Sequence, residues 1–191
     1  MFYEFSHRHT TCVVDGNEDT VILSRETKAT TVMGKEYVYN GLFSPDSLVE
    51  RGSLVRTEDT FLVQTIRNTV DTDKYCSLIK TNATIQVQRF TQEYDDYDNP
   101  KGKPVFVSVE SDVVGFAQHV SAQLKQEEPG LLPTTSLVLL LQTNVDVKEP
   151  SDPELAQPDR IVITGKNYQV DVVDRIKYPN LLFVQLCEDR R

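Results

Sequence analysis

Residues Asp159–Asp174 read DRIVITGKNYQVDVVD, and this stretch predicts a β-hairpin. Apolar side chains recur at every second position before the turn, at Ile161 and Ile163, and after it, at Tyr168 and Val170. Apolar residues at two-residue spacing on both sides of a turn that contains Gly and Asn are typical of two paired strands. We therefore expect at least one antiparallel strand pair with one buried face in this part of the chain.

A second copy of the pattern lies earlier, at Gly52–Arg67, GSLVRTEDTFLVQTIR. Shifting the chain by 107 positions superposes apolar residues of the two stretches without a gap: Leu48 on Leu155, Leu54 on Ile161, Phe61 on Tyr168, Val63 on Val170 and Ile66 on Val173. Recurrence at a fixed spacing indicates an internal repeat. The sequence therefore predicts a mainly β protein made of two tandem small β-barrel or sandwich modules.

The composition places the boundary between the modules at the segment TQEYDDYDNPKGK, residues 91–103. This segment is acidic, contains Asn-Pro and Gly, and shows no apolar periodicity, as expected of a flexible linker. We predict a first module with an N-terminal arm at 1–90, an acidic linker at 91–103 and a second module at 104–191.

One helix is predicted in the second module, near residues 112–127. Ser111 or Asp112 could cap its start, and Pro129 followed by Gly130 would end it. Its apolar residues recur at steps of three and four, which is helical spacing: Val113, Phe116, Ala117, Val120 and Leu124.

Residue clusters that could bind metal are weak in this sequence. His7 and His9 would share a face of a strand, but no third ligand is evident. Asp95, Asp96 and Asp98 could chelate calcium, but their spacing lacks the Gly and the distal Glu of a calcium loop. We predict no metal site and no cofactor.

No catalytic motif is present either. The chain contains no Gly-rich phosphate loop, no GxSxG elbow and no HExxH. Its obvious carboxylates fall in loops, where solvation is expected, so a hydrolytic enzyme with a carboxylate pair is disfavoured. We predict no catalytic residues and a protein that is not an enzyme.

Three cysteines, Cys12, Cys76 and Cys187, are odd in number and far apart, and no CxxC occurs. This pattern predicts neither a zinc knuckle nor a redox dithiol. We expect buried free thiols in a protein assembled in a reducing cytosol.

The charge distribution limits the partners. The chain carries a net charge of -9, and residues 91–191 hold 10 basic and 17 acidic side chains, a net of -7. This balance lacks the basic surface of a nucleic-acid binder. The longest apolar run, Leu137–Leu141, is far shorter than a membrane-spanning segment, and the N-terminal sequence does not resemble a signal peptide. We expect no membrane partner.

The two hairpin sequences, DRIVITGKNYQV and GSLVRTEDTFLVQ, resemble strands of small β-barrel proteins of tailed bacteriophages, the head-closure or stopper proteins and related head–tail connector components. The resemblance spans 48–67 and 155–174, and the strand endings NATIQVQRF and LLFVQLCEDRR are also similar to such barrels. It implies a structural virion protein, assembled in the host cytoplasm, whose copies form a ring.

That ring would join the portal or adaptor protein to tail proteins and continue the channel through which DNA passes without sequence-specific binding. The polar N-terminal arm, residues 1–11, and the loop Leu131-Leu132-Pro133 are the candidates for subunit contacts. The alternatives are a baseplate or tail-tube component and an OB-like module that binds single strands. The OB-like alternative requires basic and aromatic residues on one strand face, and the acidic charge opposes it.

Overall fold

A computed structural model describes residues 2–26, 36–97 and 99–191. The chain divides into two units. The first comprises Met1–Asn82 with the short segments Leu141–Thr143 and Arg175–Leu181, and the remaining residues form the second. Among the described residues, no helix is long and apolar enough to cross a membrane.

The first unit contains a closed six-stranded antiparallel barrel with the strand order β1-β2-β3-β6-β5-β4. Pairing of β1 with β4 closes it. The strands are β1 Thr10–Val14, β2 Asn17–Arg25, β3 Val38–Phe43, β4 Leu54–Arg56, β5 Thr60–Asn68 and β6 Lys74–Lys80. The strand that alternation predicts over Thr30–Tyr39 lies mostly outside the described residues, and its described end belongs to β3.

The second unit contains a closed barrel with the order β7-β8-β9-β12-β11-β10, which is the order of the first barrel with six added to each strand number. The predicted pair of small β-barrels in tandem is therefore confirmed. The strands are β7 Ala83–Tyr94, β8 Pro100–His119, β9 Leu137–Gln142, β10 Arg160–Ile163, β11 Lys166–Asp174 and β12 Leu181–Glu188.

The two barrels also share an irregularity at corresponding positions. The register between β5 and β6 shifts between Val63 and Thr65, and that between β11 and β12 shifts between Val170 and Val172. These sites are 107 residues apart, the spacing of the sequence repeat. Because bulges bend a strand at one defined place, a bulge at the same place in both barrels supports a common origin.

The gapless alignment is one residue out of step in the strand before each hairpin turn. Val55 pairs with Phe61, whereas Ile161 pairs with Tyr168, so Val55 rather than Leu54 corresponds to Ile161. Five residues lie between Val55 and Phe61, but six lie between Ile161 and Tyr168. The second hairpin has one residue fewer in its turn but two more paired strand residues beside it.

Alternation along the strands places the apolar residues inside each barrel. The first barrel is filled by a cluster of side chains that are almost fully buried: Cys12, Val14, Val21, Phe43, Val49, Val55, Phe61, Val63, Cys76 and Leu78. The strands of the second barrel contribute a comparable buried set: Ile85, Val87, Phe116, Leu139, Ile161, Ile163, Tyr168, Val170, Val184 and Leu186.

The helix is much shorter than predicted. Helix α1 spans Ala122–Glu127 and begins after Ser121, whose Oγ accepts a hydrogen bond from the Leu124 N–H at 3.1 Å. Residues 112–119 belong to β8 instead. The apolar residues at helix-like spacing belong to two different elements, since Val113, Phe116 and Ala117 lie in β8 and Leu124 lies in α1.

The predicted linker is also a paired structure. Residues 91–94 are part of β7 and 100–103 are part of β8, and Thr91 pairs with Val105 while Glu93 pairs with Lys101. The division between the two units falls at Asn82 instead. Polar composition predicted a loop because it cannot reveal a strand pair that is exposed on both faces.

The predicted N-terminal arm folds back on its own unit. A 3-10 helix spans Phe2–Arg8, and the Phe2 side chain is only 3% exposed. The Phe2 backbone N–H donates to Asp73 Oδ2 at 2.9 Å, and its ring stacks on His9 at 4.2 Å between centroids. This part of the segment is therefore occupied within the chain, although Tyr3 remains 64% exposed.

Candidate functional site

The duplication supplies an internal reference for what a barrel of this type requires. In the first barrel, the opening hairpin joins strands of 5 and 9 residues across the turn Asp15-Gly16. In the second, the corresponding hairpin joins strands of 12 and 20 residues. Residues 89–97 and 99–109, the β7–β8 arm, are therefore an addition that barrel closure does not need.

The β7–β8 arm leaves the barrel where the flanking strands stop pairing. Strand β10 pairs with β7 only as far as Gln88, and β9 pairs with β8 only from Phe116 to His119. Beyond these points each strand of the β7–β8 arm has the other as its single neighbour among the described strands. Both outer edges of this ribbon are therefore open.

An ion-pair cluster fastens the base of the β7–β8 arm. The Arg89 guanidinium donates from Nε and Nη2 to the two oxygens of Asp159, at 3.0 and 2.9 Å, and from Nη1 to Asp146 at 2.9 Å. The Asp159 side chain is fully buried and also accepts the Lys148 backbone N–H at 3.0 Å. Hydrogen bonds to Asp159, and then to Asp146, raise the pKa of Arg89, so this residue is a permanent cation.

An aromatic pair also stabilises the base of the β7–β8 arm. Phe90 and Phe106 pair across the two strands with ring centroids 5.6 Å apart in an edge-to-face geometry. The Arg160 guanidinium lies 3.6 Å from the Phe106 centroid, and that of Arg191 lies 5.0 Å from it. Such cation–π contacts favour a fixed orientation of the ribbon where it emerges.

These two arginines share one carboxylate, Asp189, whose side chain is fully buried. Burial raises the pKa of Asp189, but hydrogen bonds from Arg191 and Arg160 outweigh this effect and lower the pKa to about 2. The residues border an open groove of ≈ 790 Å³ that also contains Phe90, Phe106 and Gln88. Basic and aromatic residues do meet here, as an OB-like site requires, but both cations are already paired and Arg160 covers the Phe106 ring.

The β7–β8 arm exposes apolar side chains from its base to its tip. Val105, Val107 and Val109 lie at two-residue spacing and are 53%, 49% and 37% exposed. Tyr94 and Tyr97 near the tip are 59% and 85% exposed. This short segment thus holds five of the eleven exposed large apolar residues of the described chain, and this concentration makes it the candidate interaction surface.

Charges near the tip are segregated by strand. The β7 side carries Glu93 and continues into Asp95 and Asp96, whereas the β8 side carries Lys101 and Lys103. The first strand is therefore acidic and the second basic along the same length of ribbon.

Asp95 has a structural role in the tip. Its Oδ1 accepts the backbone N–H groups of Tyr97 and Asn99, both at 2.9 Å, and these bonds together with the Asn99 side chain lower the pKa of Asp95. Asp98 lies outside the described residues. Within the part of the chain that the structure describes, no group of three or more His, Cys, Asp or Glu residues is placed to hold a metal ion.

The remaining candidates from the sequence lie apart from the β7–β8 arm. His9 Nε2 lies 3.1 Å from the Phe2 carbonyl oxygen. In the predicted contact loop, the Leu132 N–H donates to Gln185 Oε1 at 2.9 Å, which fastens the loop to its own unit, although Leu132 stays 39% exposed.

All three cysteines are free thiols, as predicted, and two of them are buried. Burial raises the pKa of both Cys12 and Cys76 to about 12. Burial, followed by a hydrogen bond to Asp171, raises the pKa of the half-buried Cys187 to about 11. Thiols with such pKa values are poor nucleophiles at neutral pH.

The sequence contained the signal for the β7–β8 arm, the alternation of Val105, Val107 and Val109, but the exposed face of a ribbon cannot be told from a buried strand face by alternation alone. Comparison with protein-family models finds no family that matches the chain, and comparison with curated proteins finds no relative.

Proposed function

We propose that the protein is a structural subunit of a tailed-phage virion, a head–tail connector whose copies form a ring between the portal or adaptor protein and the tail. The resemblance of its hairpin sequences to head-closure proteins suggests this class. The observation that carries the proposal is the β7–β8 arm, an exposed apolar ribbon added to one copy of a duplicated barrel.

The energetics of the β7–β8 arm suit a repeated contact. Fully burying a Val side chain contributes about 1.5–3 kcal/mol, so covering three valines that are roughly half exposed contributes about 3 kcal/mol per contact. A contact of this size is too weak to hold two copies together alone, because micromolar affinity needs about 8 kcal/mol. In a closed ring the same contact repeats with every neighbour, and the ring gains avidity.

The charge of the chain suits a position around passing DNA. A net charge of -9 disfavours adhesion to phosphates and lets DNA move through a channel without being retained. A baseplate or tail-tube position is the alternative within the same structural class, and the location of the protein in imaged particles decides between these positions.

Light scattering of the purified chain over a concentration series, with electron microscopy of the same samples, tests the proposal. We expect masses that rise above 21.7 kDa in steps of one chain, together with ring-shaped particles. A chain that stays monomeric at all concentrations, and that binds single-stranded oligonucleotides tightly at physiological salt, would overturn the proposal in favour of the OB-like alternative.

A matched pair of variants locates the contact. Val105→Thr with Val107→Thr keeps shape and strand preference but adds hydroxyl groups to the exposed face, and we expect it to weaken association. Val70→Thr is the control, because Val70 is fully exposed and lies outside the β7–β8 arm. It should leave the association unchanged.

A further inference from the structure

We infer that neighbouring copies join through the open edges of their β7–β8 arms, with β8 of one copy pairing with β7 of the next. The inference rests on the proposed function and deepens it, because it names the occupant of the exposed ribbon as a second copy of the same chain. Two observations support it: the position of the open edges and the distribution of charge along them.

The first observation concerns hydrogen bonding. From Arg89 outward, β7 has no described strand on the side away from β8, and from Pro100 to Gly115 β8 has none on the side away from β7. An open edge is a row of backbone donors and acceptors that pairs readily with another strand. Copies arranged about a rotation axis with their ribbons pointing the same way place β8 antiparallel to β7 of the next copy, the geometry that each hairpin already has.

The second observation concerns charge. From tip to base, the β7 strand runs from the acidic residue Glu93 through apolar and polar residues to the cation Arg89. The β8 strand runs from the cations Lys101 and Lys103 through Val105–Val109 to the acidic residue Glu110. Arg89 is already bound by Asp159 and Asp146 of its own chain. Copies that stand side by side therefore oppose unlike charges at the tip and apolar residues below it, whereas two β7 edges at the same height would oppose acidic tips.

Features of the β8 edge restrict which strand can pair with it. Pairing is disfavoured at the part of this edge near the tip, which carries Lys101, Lys103 and Pro104. Gly102, at φ +77°, lies at a register irregularity in the same part. Lysine, proline and bulges are the devices that keep edge strands from pairing indiscriminately. These features leave Val105–Val109 as the part of the β8 edge that can pair with another strand. They also favour a partner strand that carries acidic residues opposite Lys101 and Lys103.

Pairing of β8 with β7 uses both open edges of every ribbon and is a head-to-tail contact, the kind that forms a ring when the rotation between neighbouring copies closes. Pairing of β8 with β8 of a second copy also opposes unlike charges, but it makes a two-fold dimer and leaves every β7 edge open. Cysteine cross-linking distinguishes these arrangements.

Thr91 and Val105 pair across the hairpin, so they lie at the same height and on the same face of the ribbon. Thr91→Cys and Val105→Cys are introduced into separate full-length chains, mixed, and oxidised mildly. Because each chain carries one new thiol, a disulfide between the two positions can form only between copies. Directly opposed positions of an antiparallel pair have Cβ atoms about 4.5–5.5 Å apart, close enough for the bond.

We expect a covalent dimer, of about twice the chain mass of 21.7 kDa, in the mixture and not with either chain alone. The wild-type chain controls for the native cysteines, of which Cys12 and Cys76 are buried. Val70→Cys mixed with Thr91→Cys controls for chance collisions at an exposed site outside the β7–β8 arm. Association should also weaken as salt is raised, because the charges at the tip are exposed.

The outcomes separate the two proposals. A disulfide from Val107→Cys alone, with none in the mixture, would establish the two-fold arrangement and overturn this inference. Assembly by light scattering without any cross-link in the β7–β8 arm would overturn the inference while leaving the ring proposal intact. Absence of both assembly and cross-links would overturn both.

Discussion

Replacement of Asp159 by Asn should destabilise the second barrel strongly while barely changing its shape. The carboxylate is fully buried and accepts three hydrogen bonds, two from Arg89 and one from the Lys148 N–H. Asparagine keeps one acceptor oxygen but directs an NH₂ group at one of these donors and removes the negative charge. Removing one partner of a buried ion pair costs about 3–5 kcal/mol.

We expect Asp159→Asn to fall near the lower limit, about 3 kcal/mol, because the Arg89 side chain is 21% exposed and retains Asp146. Each kcal/mol shifts the Tm of a domain of about 60–100 residues by about 4–8 °C, so the shift should exceed about 10 °C. Asp146→Asn is the matched control. Its side chain is 47% exposed, and it should cost only about 0.5 kcal/mol.

Urea unfolding followed by far-UV circular dichroism measures both variants, and it suits a chain without tryptophan. If the two barrels unfold in separate transitions, Asp159→Asn should move only one of them. A cost within 1 kcal/mol of zero, or an equal cost for the two variants, would refute the view that the buried carboxylate fastens the base of the β7–β8 arm.

Three further predictions concern the barrels. Gly41→Ala should lower the free energy of unfolding in urea by about 1–3 kcal/mol, because the new Cβ would lie 2.8 Å from the nearest core side-chain atom. Gly130→Ala is the control and should leave this free energy nearly unchanged, because no atom lies within 4 Å of its new Cβ. Burial raises the pKa of Cys12 and Cys76 from 9.0 to about 12. A thiol reagent at pH 8 should therefore label these residues only after denaturant is added. The free energy of unfolding should also fall as pH rises from 9 towards 12, because the thiols ionise more readily in the unfolded chain. Fast labelling of Cys12 or Cys76 in the folded protein, located by mass spectrometry of peptides, would contradict their burial. The pH dependence of stability that Asp189 causes has the opposite sign, because the pKa of this residue is lowered from 3.8 to about 2. The stability that Asp189 contributes is complete above pH 4 and is lost as pH falls towards 2. The variant Asp189→Asn should therefore show a smaller loss of stability between pH 4 and pH 2 than the wild-type chain.

The sequence predicted the repeated hairpins because their apolar residues alternate and their turns are short. Val63 and Val170 occupy corresponding positions beside corresponding bulges, so the offset read from the sequence is the structural offset for β5 and β11. It failed by one residue at Leu54, because the second hairpin is one residue longer than the first between corresponding positions. A difference of one residue shifts the register and the face of a strand without changing its composition.

The sequence was least informative about the β7–β8 arm. An acidic run with Asn-Pro and Gly is typical of a loop, and nothing local revealed that Glu93 pairs with Lys101 across a ribbon. The helix at 112–119 was predicted because apolar residues at steps of three and four run from the end of β8 into α1, and the spacing alone does not show that two elements are involved. The base contacts of Arg89 join residues up to 70 positions apart, a separation that local periodicity cannot detect.

Shortening the β7–β8 arm tests most directly whether it is an addition that serves assembly rather than folding. Because Thr91 and Val105 are direct cross-strand partners, replacing residues 92–104 by Asn-Gly joins them through a two-residue turn, as in other tight hairpins. The shortening is combined with Val105→Thr and Val107→Thr, because on its own it would leave the exposed valines of β8 in place. We expect the shortened chain to unfold with a free energy within about 1 kcal/mol of that of the full chain and to show no association in light scattering. A shortened chain that fails to fold, or one that assembles as the full chain does, would contradict it.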